Sequence, residues 1–286
     1  MVRVAVIGAG YWGSNLIRVF EELGVLEVVY DINPDLCTCP TLEEALERAT
    51  AVAIATPTPT HFHLAKQALL ASKHVFVEKP FTLIVEEAEE LVELAEARQL
   101  TLMVGHMLYY HPAVVKLKKL VDTGKLGEIQ YIYSHRLSMG KSPAENDILW
   151  DLASHDVSTI LMLLGEMPES VFATKDPTTD ISLAVMEFSK ARTHIFVSWT
   201  NPFKERKLVV IGDKKMAVFD DMSQEKLFLY SHGEIEYIPT HSGEPLKEEC
   251  QHFLTCLVDG VTPKTDGREG VRVLQVLEAL KEALDD

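Results

Sequence analysis

An expected strand over Val2 to Gly8, apolar from Val4 to Ile7, leads directly into Gly8-Ala-Gly10-Tyr11-Trp12-Gly13, and a helical pattern follows from about Tyr11 to Leu23. Three glycines at this spacing, between a strand and a helix, constrain the fold more than any other stretch of the chain. The first permits a tight turn, the second lets a pyrophosphate approach the backbone, and the third allows close packing of helix on strand. The implied structure is a parallel sheet with a dinucleotide at its first strand-helix turn.

The next strand, Val25 to Tyr30, ends at Asp31, 23 residues after Gly8. A carboxylate there can bond both ribose hydroxyls of an adenosine and repels a 2'-phosphate. The following Ile32, Asn33 and Pro34 supply no arginine, so the expected cofactor is NAD rather than NADP. Strand-helix alternation continues through Thr41-Leu-Glu-Glu44, a capping-box pattern, to strands at Ala51 to Ala55, His74 to Val77 and Leu100 to Val104. Helices are expected over Thr60 to Ala71, Thr82 to Arg98 and from Pro112 to near Gly124. Glu86, Glu87, Glu90 and Glu93 read as the solvated face of the second of these.

Beyond Gly124 the pattern changes to a long strand, Glu128 to Ser138, a helix, Ser154 to Leu164, and a strand succession read as an antiparallel meander: Ile181 to Phe188, His194 to Trp199, Lys207 to Ile211 and Leu227 to Tyr230. Two helices, Leu246 to Val258 and Gly267 to Leu284, follow. The expected fold is α/β: a doubly wound parallel sheet over residues 1–123, plus an α+β domain over residues 124–286 with an open-faced, mainly antiparallel sheet. Ile181, Leu183 and Val185 share one face of that sheet, and Ala184, Met186 and Phe188 share the other. One face can pack on the domain's helices, which leaves the other for a second subunit, and a homodimer or homotetramer is expected.

Charge narrows the partners. With 27 basic and 43 acidic residues the formal net charge is -16, so nucleic acid and anionic membranes are unfavourable partners. The stretches 49–65 and 99–115 lack Asp, Glu, Lys and Arg but carry His and Pro, and neither is a credible membrane span. Four cysteines are too few for a disulfide framework or a four-cysteine zinc site, and a cytoplasmic protein fits best. His61-Phe-His63 has metal spacing only on a strand, and since Thr60 reads as a helix N-cap no metal is expected.

Other polar segments stand at carboxyl ends of expected strands, where such sheets bind ligands: Thr56-Pro57 through His61, Glu78-Lys79-Pro80, and Gly105-His106. Asp151 and His155, four apart at a helix start, can place a carboxylate against an imidazole, an arrangement suited to acid-base work near neutral pH. A helix-capping Asp beside an unrelated His fits the same spacing.

The ordered set of Gly8-Ala-Gly10-Tyr11-Trp12-Gly13, Ala55-Thr56-Pro57, Glu78-Lys79-Pro80 and Trp150-Asp151-Leu-Ala-Ser-His155-Asp156 resembles the glucose-fructose oxidoreductase and inositol dehydrogenase (Gfo/Idh/MocA) family, and the resemblance covers essentially the whole chain. It implies a Rossmann domain followed by an open-faced domain, and hydride transfer between NAD and a sugar-type secondary alcohol. By resemblance Lys79 contacts the reacting hydroxyl, His155 is the general base, and Asp151 assists binding and orientation. Glu78 and Pro80, the latter cis, shape the cofactor side of the pocket, and Thr56, Pro57 and His61 line the nicotinamide half of NAD. Trp150-Asp151 through His155 is most similar to the nucleotide-sugar branch, which points to the 3-hydroxyl of a UDP-N-acetyl sugar. Inositol or a free sugar is the alternative substrate, and an NAD-sensing regulator is the alternative function. Arg136 and Lys141 are the candidate diphosphate contacts, and His106 with Tyr109-Tyr110-His111 occupies the place where many relatives offer Asn and Arg to the substrate.

Overall fold

A computed structural model describes residues 2–140, 148–176 and 181–285, and Lys141 lies outside them. The chain divides into two compact units, residues 1–110 with 244–274 and residues 111–243 with 275–286.

The first unit is built on β1 (Val4–Ile7), α1 (Gly13–Glu22), β2 (Leu26–Tyr30), α2 (Leu42–Arg48), β3 (Ala51–Ile54), α3 (His61–Leu70), β4 (His74–Glu78), α4 (Val85–Ala97) and β5 (Leu102–Gly105). The strands form a parallel sheet in the order β2-β1-β3-β4-β5. Inner strands of such a sheet are covered on both faces, which is why β1 and β3 read as unbroken apolar runs and every residue in them is buried. Strand order reverses between β1 and β3, and the carboxyl edge at that crevice is where a doubly wound sheet takes its ligand. Thr41 caps α2 as its sequence implies, its side chain accepting the Glu44 N–H. On α4, Val85, Ala88, Leu91, Val92 and Ala95 are buried.

The second unit holds α5 (Pro112–Asp122), β6 (Ile129–Met139), α6 (Ser154–Leu164), β7 (Ser170–Lys175), β8 (Ile181–Glu187), β9 (Arg192–Ser198), β10 (Thr200–Gly212), β11 (Met216–Asp220), β12 (Leu227–Ser231) and β13 (Glu234–Tyr237). Its sheet runs β13-β12-β11-β10-β6-β9-β8-β7. The expected meander is interrupted. Between β9 and β10 stands only Trp199, too little for a hairpin turn, and β6 lies between the two strands, parallel to β9 and antiparallel to β10. Ser182, Ala184 and Met186 are fully buried, whereas Ile181, Leu183 and Val185 on the other face stay partly exposed.

The boundary expected after residue 123 also moves. Helix α5 belongs to the second unit, while α7 (Pro245–Asp259) and α8 (Gly267–Asp285) as far as Leu274 belong to the first. The reason is packing. Phe253 of α7 meets Phe76 of β4 edge-on, Tyr110 Oη bonds Thr265 Oγ1, and the Val104 N–H donates to the Thr265 carbonyl. A hydrophobic stripe at helical spacing announces a buried face but not the surface that buries it. All four cysteines are free thiols, and no helix among the described residues is long and apolar enough to cross a membrane.

Candidate active site

The three loop glycines meet three different needs. Gly8 has φ +94°, and a Cβ there would lie 2.7 Å from the Ala55 carbonyl oxygen. At Gly13 a Cβ would lie 2.0 Å from the Gly8 oxygen, so only glycine lets α1 start this close to β1. Gly10 has nothing within 4 Å, which leaves its backbone open to a ligand. Asp31 is fixed beside the loop, with Oδ2 accepting the Ala9 N–H at 2.7 Å and Oδ1 the Asn33 N–H at 2.8 Å. Tyr11 and Ile32 flank this corner at 90% and 94% exposure. Large apolar side chains held so far into solvent suit the planar base of a dinucleotide, and the sequence reading passed over Ile32. Open backbone at Gly10, an anchored carboxylate and two exposed apolar flanks fit the adenosine and pyrophosphate of NAD.

Around β3 and β4 the structure changes one role. His61 is buried, its Nδ1 2.9 Å from the Pro80 carbonyl and its Nε2 2.8 Å from that of Thr56. Burial lowers its pKa against the pull of those carbonyls, and the ring ties two loops together rather than lining a cofactor. Thr60 holds the N-cap position of α3, as expected, but its side chain does not cap: the hydroxyl donates to the Pro57 carbonyl and also contacts the Thr56 hydroxyl. Among the described residues no three His, Cys, Asp or Glu are placed to hold a metal.

Glu78 ends β4, Lys79 follows it, and the Lys79–Pro80 peptide is cis. Burial pushes the Glu78 carboxyl up to about 7, against the opposing pull of the Trp12 indole and the Lys79 ammonium. Trp12 Nε1 is near enough to favour that carboxylate but lacks hydrogen-bond geometry. Gly105 leaves room for this side chain, since a Cβ would stand 2.8 Å from Glu78 Oε2 and displace it. His106 is fully buried, and burial together with Lys79 drives its pKa down to about 3. It is therefore a neutral hydrogen-bonding group, not an acid or base at neutral pH.

In the second unit Asp151 lies in a turn with i→i+5 hydrogen bonding, Leu149–Ala153, which runs into α6 carrying His155. Such turns recur at functional sites, and this one extends the expected helix start backwards over the Trp150-Asp151 pair. Trp150 is buried, so its ring packs rather than presenting a face to substrate.

Arg136 is not free to hold a diphosphate. It is buried, with Nε 2.8 Å and Nη2 3.1 Å from the two carboxylate oxygens of Asp156, and Ser134 Oγ donates to the same carboxylate at 2.6 Å. Burial works against the Arg136 charge, yet Asp156 outweighs it and raises its pKa. Directly opposite on β10 is Arg206, whose pKa is lowered by burial and then by Arg136. Among the described residues its side chain makes no hydrogen bond or ion pair. Sequence reading missed it, although Arg206 falls on the face of β10 shared by buried Leu208 and Val210, and a cation on an apolar face is a visible signal.

Residues 2–106 match the family described as "Oxidoreductase family, NAD-binding Rossmann fold" and residues 114–218 the "GFO/IDH/MocA C-terminal domain". The chain is 34% identical over 183 residues to the UDP-N-acetylglucosamine 3-dehydrogenase of Acidithiobacillus ferrooxidans, a stretch covering 60% of this chain and 57% of that protein. A solved structure of that enzyme superposes with a TM-score of 0.92 at 28% identity, covering 99% of this chain and 98% of the other. The scyllo-inositol 2-dehydrogenase (NAD(+)) of Bacillus subtilis is 29% identical over 235 residues, 74% of this chain and 69% of its own. With a five-stranded parallel sheet, three glycines in their three roles and both family domains matched, the chain belongs to the Gfo/Idh/MocA family of NAD-binding oxidoreductases.

Proposed function

We propose that the protein oxidises, or in reverse forms, the 3-hydroxyl of a UDP-N-acetyl sugar. The observation that carries this reading is the likeness to the UDP-N-acetylglucosamine 3-dehydrogenase over nearly the full length of both chains, with Lys79 and the Asp151–His155 pair present together. An NAD-sensing regulator has no need of that proton-transfer set.

Bound NAD supplies the hydride acceptor, and the chain supplies the rest. His155 removes the hydroxyl proton, and Asp151 assists binding and orientation. The Lys79 ammonium stabilises the alkoxide-like oxygen. The neutral His106 offers hydrogen bonds without adding charge. Arg206, whose guanidinium is left over when Arg136 and Asp156 pair, is the anion contact in place of Arg136. Ile181, Leu183 and Val185, with exposed Phe172, form the face through which we expect two subunits to join, and light scattering tests it.

The test is nicotinamide reduction with a panel of UDP-sugars, free sugars and inositols. Turnover greatest with a UDP-N-acetyl sugar supports the reading, and turnover greatest with inositol moves the assignment to a cyclitol dehydrogenase.

A further inference from the structure

Strand β2 stands at one edge of the parallel sheet, and an edge strand presents alternate backbone N–H and C=O groups that no neighbouring strand can bond. Tyr30 turns its carbonyl inward to the Gly8 N–H, so Val29 and Asp31 on either side of it turn theirs outward. Both outward residues are nevertheless bonded. The chain leaves β2 at Asp31, makes a single 3-10 turn at Pro34–Leu36 and folds back along the edge. Two consecutive residues then meet the two outward ones. The Cys37 thiol accepts the Asp31 N–H at 3.1 Å and can donate its own proton to the Asp31 carbonyl at 2.9 Å, with the Asn33 carbonyl 3.5 Å away. Thr38 Oγ1 accepts the Val29 N–H at 2.7 Å, and the Thr38 N–H donates to the Val29 carbonyl at 2.9 Å.

The turn is closed from inside as well, since Asp31 Oδ1 accepts the Asn33 N–H and Asn33 Oδ1 accepts the Asp35 N–H at 3.1 Å. With Oδ2 on the Ala9 N–H, Asp31 is held at its carboxylate and at both of its backbone groups. A carboxylate has about four acceptor positions, so with two of them taken two remain for the pair of ribose hydroxyls. That allotment needs the Asp31 backbone to stay in place. A carboxylate free to swing with its backbone would have to be ordered by the cofactor, at a cost to affinity.

We propose that Cys37 and Thr38 form a clasp on the sheet edge that sets the Asp31 carboxylate for the adenosine ribose, and that Cys37 is a positioning residue for NAD. This rests on the reading of Asp31 as the ribose contact. The thiol acts through the Asp31 backbone, and the Thr38 bonds hold the returning chain in register with β2. The same clasp keeps the carboxylate where it repels a 2'-phosphate, so its loss lowers discrimination against NADP along with affinity for NAD.

The test is calorimetry of NAD and of NADP on the whole protein, with melting curves to follow the fold. Cys37→Ala removes both bonds to Asp31 and should weaken NAD by about three- to tenfold, the worth of an ordinary hydrogen bond. NADP should weaken by less, because the carboxylate that repels it is released, and the ratio of the two affinities narrows. Cys37→Ser, whose hydroxyl both donates and accepts, should recover most of the NAD affinity. In an Asp31→Ala background Cys37→Ala should cost nothing further, since a residue acting through Asp31 loses its effect with it. The proposal is overturned if Cys37→Ala binds NAD as wild type does, if NAD and NADP weaken equally, if serine is no better than alanine, or if the loss persists without Asp31. Should Cys37→Ala fail to fold, Thr38→Val takes its place, with a narrowed ratio expected and an unchanged ratio counting against the clasp. Asp31→Ala with wild-type NAD affinity refutes the ribose reading of Asp31, and the clasp falls with it. Asp31→Ala that weakens NAD while Cys37→Ala does not leaves that reading standing and refutes the clasp alone.

Discussion

The two units bury ionisable side chains in opposite ways. In the second, Arg136 meets Asp156 through two hydrogen bonds, Ser134 adds a third, and the pair lies under the sheet as scaffold. In the first, Glu78, Glu249 and His106 are as deeply buried but leave most of their polar atoms unmet among the described residues. Satisfied buried charge defines a structure, whereas unsatisfied buried charge is kept where chemistry needs it. Removing a member of the first kind should cost stability, and removing a member of the second should change proton affinity and rate.

The largest effects should fall on catalysis. Lys79→Met and His155→Ala should each lower kcat with a UDP-N-acetyl sugar by roughly 10²- to 10⁴-fold, with thermal unfolding close to wild type. Steady-state kinetics and a melting curve on the same preparation check both halves of that statement. On the scaffold side, Arg136→Ala leaves the buried Asp156 carboxylate without its cation, with the Ser134 hydroxyl still donating to it, and should destabilise by about 3–5 kcal/mol in urea unfolding. If it melts like wild type and instead raises KM for a nucleotide sugar, Arg136 is a substrate contact after all.

The loop offers a sharper contrast inside one motif. Gly13→Ala forces a Cβ against the Gly8 carbonyl and should cost on the order of 1–3 kcal/mol of stability along with NAD binding. Gly10→Ala meets no neighbouring atom and should spare the fold while weakening NAD, as calorimetry would show.

Much of this was legible in the sequence where the cause is local. The glycine loop, Asp31, the Thr41 cap and the strand alternation follow from steric and hydrogen-bonding needs of adjacent residues. Roles decided by distant partners were not legible: His61 reads as a cofactor contact until Pro80 and Thr56 close around it, and Arg136 as a diphosphate contact until Asp156 meets it. Glu249 could have been noticed, since with Leu246, Cys250 and Phe253 it falls on the buried stripe of α7, where a carboxylate is out of place. Without knowing that α7 packs on the first sheet, nothing showed what buries it.

The smallest effect concerns pH and stability. The Glu78 carboxyl rises from 4.5 to about 7 on folding. Below pH 4.5 it is protonated folded and unfolded. As pH climbs towards 7 the unfolded chain ionises first, so stability from this group is present at low pH and is lost over that window. Glu78→Gln removes the titrating group, and should flatten the decline between pH 4.5 and 7 in denaturant titrations.

The central claim is hydride transfer from a nucleotide-sugar hydroxyl, and the direct measurement is the absorbance of reduced nicotinamide on mixing the protein with NAD and UDP-N-acetylglucosamine. Steady reduction is expected, and Lys79→Met should abolish it while NAD still binds. Tight NAD binding with no reduction by that substrate, by other UDP-sugars, by free sugars or by inositols would contradict it, and would make the protein an NAD sensor.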